Sequence, residues 1–286
     1  MGSEQHFSLR NVALTPFFVL FAILLQGCSV TRLAYNNADV VLRWQANHYL
    51  DFEGEQSDER DRSLGAFLAW HRAAALPQYA RLADEASTRV LRGIKPEDLE
   101  WSYDAVRAQV REALGVAAGE AAALLDRLRP EQILHLEKRL AEGNREFAKE
   151  QILGTMEERH KRRVKRNIER LEDWFGPLSE AQAERVERYS TRAPFSAELR
   201  DRDRKRRQAE FVAMLRAREA KRRLAQWAQD WEGGREPAYA AASRATHAEY
   251  VDLLLDFDRT LAAEQREHLA KRLKRYSELF DSLGRQ

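Results

Sequence analysis

This sequence has few cysteines and no long apolar run, and both absences are informative. Cys28 is the only cysteine among 286 residues, so the chain has no internal disulfide bond and its stability must come from packing. The uncharged apolar run from Val12 to Leu25 has 14 residues and contains Pro16, whereas a membrane-spanning helix needs about 20 apolar residues. The run therefore favours the core of a secretory signal peptide over a transmembrane helix.

Strand-forming patterns are also scarce. Alternating runs of Val, Ile, Thr and aromatic residues are absent, whereas Ala, Leu, Arg, Glu and Gln, which favour helices, dominate. Charged residues make up 33% of the chain and hydrophobic residues 44%, a composition too apolar for disorder. The sequence therefore predicts an all-α protein.

Prolines, glycines and capping residues mark where the helices begin and end. In "FGPLSEAQ", Gly176 ends one helix, and Ser179 with Gln182 begins the next as a capping box. We expect Pro77 to kink the second helix, because it removes one hydrogen bond. The predicted helices cover residues 32–50, 57–92, 96–127, 130–175, 179–191, 196–231, 238–258 and 261–282.

The predicted helix over 130–175 has the largest effect on overall shape. If unbroken it spans about 69 Å, and only Gly143 and Gly154 offer interruptions. We expect an elongated bundle of long antiparallel helices with a protruding basic hairpin, either as one domain or subdivided near residues 127–130.

The lone cysteine lies at the end of the apolar run, in the tetrapeptide Leu25-Gln26-Gly27-Cys28. This tetrapeptide resembles a bacterial lipobox, in which a branched apolar residue and a small residue precede an invariant cysteine. The resemblance implies cleavage after Gly27 and attachment of acyl chains, such as palmitate, to Cys28. Two or more such chains give stable membrane attachment.

The lipobox resemblance also implies a division of the chain and a location. Residues 1–27 would be the signal peptide, residues 28–31 a lipidated tether and residues 32–286 an all-helical periplasmic domain. Ser29 follows the cysteine instead of the Asp that resembles an inner-membrane retention signal. By that analogy we expect the outer membrane, with the protein on its periplasmic face and held by the acyl chains on Cys28.

Two further stretches carry a resemblance to a family. "LAYNNADVVLRWQANHYLDF" and "FLAWHRAAALPQYARL", together with the lipobox, resemble a family of uncharacterised proteobacterial all-helical lipoproteins. The resemblance extends over the whole mature chain and implies a location and a fold class, but no activity.

A pattern of Leu or Phe followed four residues later by Gln occurs four times: Phe52–Gln56, Leu128–Gln132, Leu178–Gln182 and Leu261–Gln265. It is similar to the Leu-Thr-x-x-Gln signature of small periplasmic helical chaperones, although Glu53, Arg129, Ser179 and Ala262 stand at the threonine position. Two interpretations stay open. The pattern is either an ordinary helix start, with an apolar residue ahead of a polar first turn, or the mark of a chaperone or envelope-stress factor.

Residues suited to catalysis or metal binding do not form a recognisable set. The six histidines after the leader have no zinc-binding spacing: His48, His71, His135, His160, His247 and His268. The single Glu157-x-x-His160 lies among cations that would repel a metal ion. Serine-nucleophile elbows and phosphate-binding glycine loops are also absent from the sequence. We therefore expect no enzyme, no cofactor and no metal.

One histidine occupies a distinctive position. His71 lies on the apolar side of its predicted helix, beside Trp70 and six residues before Pro77. Together with Tyr79 these residues form a candidate site on the kinked helix. The usual meaning of such a position is a histidine hydrogen-bonded in the core, and ligand binding or pH sensing is the alternative.

A strongly basic segment is the last candidate. Residues 199–224 contain eleven Arg or Lys and four acidic residues, a net charge of +7, although the whole chain carries only +2. Its first turns place charges on every side of a helix, so we expect them to protrude. The candidate patch consists of Arg200, Arg202, Arg204, Lys205, Arg206 and Arg207.

The expected partner of this patch is an anionic envelope component or a protein. Lipid headgroups, lipopolysaccharide and peptidoglycan-associated polymers fit the periplasm better than nucleic acid does. A solvated helix face with Asp/Glu–Arg pairs is the alternative. The functional hypothesis is a lipid-anchored periplasmic binding or scaffolding module, with the chaperone as the other candidate.

Overall fold

The computed structural model describes residues 28–286 of the chain. In this part of the chain 84% of the residues are helical and no strand occurs. The prediction of an elongated all-α protein is confirmed.

The helices follow one another through short connections, and a π-helical turn, His71–Ala75, joins the third to the fourth. They are α1 (Cys28–Asn36), α2 (Ala38–Leu50), α3 (Glu55–Trp70), α4 (Leu76–Leu91), α5 (Pro96–Leu125), α6 (Pro130–Gln151), α7 (Met156–Phe175), α8 (Glu180–Arg192), α9 (Ala197–Arg216), α10 (Ala220–Gln229), α11 (Pro237–Asp258) and α12 (Ala263–Gly284).

The single helix predicted over 130–175 is wrong, because α6 ends at Gln151 and α7 begins at Met156. Gly154 has a φ of 104°, a left-handed conformation that ends the first helix at no steric cost. Thr155 then caps α7, since its hydroxyl accepts the backbone N–H of Glu158. The helix predicted over 196–231 is likewise divided, at Arg218, whose φ is 54°.

The irregularity predicted at Pro77 takes the form of the π turn just before it. The backbone N–H of Leu76 donates to the carbonyl of His71, five residues back instead of four. One extra residue in the turn leaves room for a proline ring that would otherwise press on the preceding carbonyls.

Long antiparallel pairs form the body, and α4 with α12 is the most extensive. Ser87 donates its hydroxyl to the carbonyl of Ala270, at 2.9 Å, and Lys274 forms an ion pair with Asp84, at 2.6 Å. Sequence numbers rise along one helix as they fall along the other, which confirms the predicted antiparallel arrangement.

Three clusters of buried side chains hold the helices together. The first lies among α2, α5, α6, α9 and α10 and includes Leu136 and Leu215; the second lies among α4, α7, α8, α11 and α12 and includes Phe257. The third, with Tyr35 and Leu283, joins α1 to α4 and α12. Each fully buried side chain of this size contributes about 1.5–3 kcal/mol of hydrophobic stabilisation.

The first pair of repeated glutamines joins two helix connections. The Oε1 atom of Gln132 accepts the backbone N–H of Arg129, which begins α6. Its Nε2 atom donates to the carbonyl of Leu50, at the end of α2, and to the side chain of Gln56. Gln56 in turn donates to the carbonyl of Arg127, just after α5.

The second pair repeats this arrangement in the other half of the chain. Gln182 caps the backbone N–H of Ser179 and donates to the carbonyl of Thr260, while Gln265 donates to the carbonyl of Pro177. The two side-chain amides also bond to each other, at 2.9 and 3.0 Å. The Leu-x-x-x-Gln positions thus begin helices and also connect distant ones.

Candidate functional site

The candidate site on the kinked helix is a buried cluster of polar aromatic residues. His71 is 1% exposed. The hydroxyl of Tyr35 lies 3.0 Å from its Nδ1 atom, and the hydroxyl of Tyr79 lies 3.4 Å from its Nε2 atom. A neutral imidazole has one N–H donor and one acceptor, so it donates to one tyrosine and accepts from the other.

Burial fixes the protonation of this cluster. It lowers the pKa of His71 to about 4 and raises the pKa of Tyr35 and of Tyr79 to about 12. All three groups are therefore neutral at neutral pH. With both ring nitrogens partnered, the geometry is that of a histidine hydrogen-bonded inside a core.

The structure brings two of the four predicted residues into this cluster. His71 and Tyr79 form its centre, whereas Trp70 lies at its edge, in a T-shaped contact with its ring centroid 6.2 Å from that of His71. Pro77 faces the end of α12, beside Gly284. Sequence reasoning missed Tyr35, since no local pattern connects residues 36 positions apart.

The predicted basic patch on α9 is largely neutralised inside the protein. The segment does not stand free of the bundle, because α9 packs along α6 and also contacts α10 and α11. Asp201 and Asp203 are buried, and both point toward cations of the same helix. Lys205 pairs with Asp201 at 2.6 Å, and Arg206 pairs with Asp203 at 2.7 Å.

Other cations of this segment hold neighbouring helices. Arg204 donates to the carbonyl of Gly143 and to the side chain of Asn144, and its guanidinium lies 4.3 Å from the ring centroid of Phe147 in α6. Arg207 donates to the carbonyl of Trp227 and lies over that ring at 4.0 Å. The expectation that charges on every side of the helix prevent burial is wrong for Arg204 and Arg207, because their long side chains carry the charge to acceptors on neighbouring helices.

The remaining two cations of the patch are more exposed. Arg202 pairs with Glu236, at 2.9 Å, before α11, and Arg200 lies 5.3 Å from the ring centroid of Phe147. Five of the six patch cations therefore have a hydrogen-bond acceptor in the fold, and within residues 28–286 Arg200 alone has none.

A different row of arginines is not neutralised. Arg162, Arg166 and Arg170 are exposed and follow one another at four-residue intervals on α7, so they share one face of that helix. Within residues 28–286 none of the three lies within 4 Å of a carboxylate. Only Arg162 has a hydrogen-bond acceptor there, the carbonyl of Leu153, at 2.8 Å.

The mutual repulsion of these arginines affects the pKa of the central one, Arg166. Partial burial of its guanidinium lowers the pKa of Arg166, the positive charges of Arg162 and Arg170 lower it further, and the negative charge of Glu150 partly opposes them. The signal was present in the sequence as three arginines four residues apart. It was overlooked because the net charge of α7 is smaller than that of residues 199–224.

Two other properties concern the described part of the chain. It contains no group of three or more His, Cys, Asp or Glu side chains placed to hold a metal ion. None of its helices has the length and apolar character needed to cross a bilayer. Leu25, Gln26 and Gly27 lie outside the described residues, and Cys28 is described only as the residue where α1 begins.

The fold and these surfaces define an all-helical protein with a row of three arginines on one face of α7. The chain belongs to a family of unknown function, DUF6279, whose model matches residues 48–239. The match extends from α2 into the start of α11 and includes His71, α7 and α9. Neither a curated protein nor a solved structure matches the chain.

Proposed function

We propose that this protein is an envelope lipoprotein, held by acyl chains on Cys28 at the periplasmic face of the outer membrane. In this proposal it acts as a binding or scaffolding module for an anionic envelope component. Its binding surface is the arginine face, which we define as Arg162, Arg166 and Arg170.

The proposed anchor rests on the lipobox and is consistent with where the folded body begins. Thr31 and Tyr35 are both buried, three and seven residues after Cys28. At 1.5 Å per helical residue, Thr31 lies about 4.5 Å along α1 from the proposed lipid. The body would therefore lie directly against the bilayer.

The arginine face is the observation that carries the binding proposal. Three cations that form no ion pair within residues 28–286 share one helix face and repel one another, and an anion placed between them would relieve that repulsion. Guanidinium groups bind phosphate oxygens through paired N–H donors. A phosphate-bearing component, as in lipopolysaccharide, suits this spacing.

Binding to lipopolysaccharide micelles tests the proposal. The variant Arg162→Glu, Arg166→Glu, Arg170→Glu should bind at least about tenfold more weakly than the parent, which corresponds to about 1.4 kcal/mol. The control variant Arg188→Glu, Arg222→Glu, Lys271→Glu changes the net charge equally, but its three cations each pair with an acid on their own helix or at its N-cap. Equal affinities for both variants would reject the arginine face.

The chaperone alternative draws on the Leu-x-x-x-Gln repeat. The side chains of Gln132 and Gln182 are 2% exposed and bond to backbone groups and to other glutamines of the repeat. They offer no surface to an unfolded client, so the repeat supports helix capping instead, and we prefer the binding module.

A further inference from the structure

An exposed apolar stripe lies on the first two helices. Leu33 is 66% exposed, Val40 57% and Trp44 60%, and Val41 borders them. The opposite side of the same helices carries Tyr35 and other buried residues. α1 and α2 thus carry apolar side chains on both sides, yet residues 28–286 cover only one of them.

The stripe is continuous across the junction of the two helices. The N–H of Asn37 donates to the carbonyl of Leu33, and the N–H of Val41 donates to the carbonyl of Asn37, both at 3.2 Å. Spacings of seven and four residues place Leu33, Val40 and Trp44 on one face. The stripe is about 16 Å long at 1.5 Å per residue.

Its position identifies what covers it. Leu33 follows Cys28 by five residues, or about 7.5 Å of helix. Thr31 between them is buried, so this segment is packed against the protein and does not act as a flexible linker. Acyl chains on Cys28 would hold a bilayer within reach of the stripe at all times. Tryptophan favours the membrane interface, and the transfer of an apolar helix face from water into that interface lowers the free energy.

Charged residues on the flank of the stripe have partners within the protein. Arg32 and Arg43 lie about 80–100° around the helix from Leu33. Arg32 donates to the hydroxyl of Ser282, at 3.4 Å, and Arg43 pairs with Asp39 and Asp61, at 3.3 and 3.4 Å. The inference therefore rests on the apolar side chains and on their distance from Cys28.

We propose that Leu33, Val40, Val41 and Trp44 form a membrane-docking face, which lies on the bilayer that carries the acyl chains of Cys28. This inference rests on the anchor in the proposed function and extends it. The lipid would hold the protein at the membrane, and the docking face would fix its orientation there, with α1 and α2 parallel to the surface.

Site-directed fluorescence on the full lipidated chain tests this inference. If Cys28 carries lipid, then Val40→Cys introduces the only free thiol. Leu91→Cys is the matched control, because Leu91 is 56% exposed and lies at the far end of α4 from Tyr35 and its cluster. Each variant is labelled with an environment-sensitive dye and placed in vesicles of phosphatidylethanolamine and phosphatidylglycerol.

A nitroxide on the lipid, near the headgroup, should quench the dye at position 40 severalfold more than the dye at position 91. Iodide in the water should show the reverse order. Equal quenching by the lipid nitroxide would overturn the docking face. Shielding of position 40 from iodide without lipid quenching would also overturn it, because a second copy or another protein would then cover the stripe.

The parent chain separates the two proposals. Uptake of dye by its Cys28 would show a free thiol and reject the lipid anchor, and the docking face with it. An unlabelled parent combined with an unquenched position 40 would reject the docking face alone.

Discussion

Helices α7 and α9 carry the same kind of residue and use it in opposite ways. The cations between residues 200 and 207 contact acids, carbonyls or aromatic rings of the protein, whereas Arg166 and Arg170 on α7 pair with no acid within residues 28–286. A high density of positive charge in the sequence therefore does not by itself mark a binding surface. What matters is whether the fold supplies partners for those charges.

The difference has a local cause and a tertiary cause. Asp201 and Asp203 lie three or four residues from the cations they neutralise, within the same helix. Asp203 also accepts the backbone N–H of Glu236, at 2.7 Å, and so connects α9 to the beginning of α11. Within residues 28–286 no acid pairs with the arginine face, and Arg162 alone has an acceptor, the carbonyl of Leu153.

The largest expected effect is at Asp203. The substitution Asp203→Ala leaves the buried N–H of Glu236 and one donor of Arg206 without their acceptor, so we expect a loss of about 3 kcal/mol in the free energy of unfolding. Urea denaturation measures it. Glu169→Ala on α7 is the control, because its carboxylate is exposed and 3.8 Å from Lys165. A similar loss of stability in both variants would contradict the view that acids stabilise the fold on α9 but not on α7.

The next effect concerns one arginine from each helix. Arg204→Ala removes two hydrogen bonds and the contact with Phe147, so it should cost about 2 kcal/mol. Arg166→Ala removes the same charge from the arginine face and should cost nothing. Denaturation of both variants at one salt concentration compares their free energies of unfolding. A clear loss of stability in Arg166→Ala would mean that the cations of α7 also stabilise the fold.

A smaller effect links the two helices. Arg159 of α7 pairs with Glu198 of α9, at 2.6 Å, and this hydrogen bond lowers the pKa of Glu198. The stabilisation is fully present above the ordinary pKa of 4.5 and is lost as the pH falls through the lowered value in the folded protein.

The parent should therefore exceed Glu198→Gln in stability at pH 7, and the difference should shrink as the pH falls below the ordinary pKa of 4.5 and through the lowered pKa of Glu198. Denaturation curves over a pH series measure it. A difference independent of pH would show that the pair contributes through packing alone.

The smallest effect is a gain. Arg166→Gln relieves two like-charge contacts at four-residue spacing and should raise stability by about 0.3–0.5 kcal/mol at low salt. Because salt screens exposed charges, the gain should disappear in about 1 M salt. Thermal denaturation at both salt concentrations measures it, and a gain that persists in salt would indicate a cause other than repulsion.

Helix starts were predictable because their signals are local. Pro96, Pro130 and the Ser179–Gln182 capping box begin helices where the sequence predicts them. The break at 152–155 is not predicted by periodicity, although Gly154 lies there and Thr155 with Glu158 forms the same kind of capping box. The apolar stripes on either side of it look alike, so periodicity did not show that they belong to separate helices.

The sequence indicated which residues belong to the candidate sites, but it did not predict which residues they contact. The sequence indicated that His71 is buried, but its bond to Tyr35 depends on where α1 packs. Likewise, the repeat placed four glutamines at helix starts, and only the fold paired Gln132 with Gln56 and Gln182 with Gln265.

By itself the sequence determined the helical class and most helix starts, because propensity and capping act over a few residues. Only the tertiary structure decided which charges are neutralised and which apolar face is left uncovered. Those outcomes depend on contacts between helices far apart in the chain, as when Arg204 of α9 reaches Gly143 of α6. The surfaces with a proposed function, the arginine face and the membrane-docking face, are those to which residues 28–286 supply no acidic partner or no apolar cover.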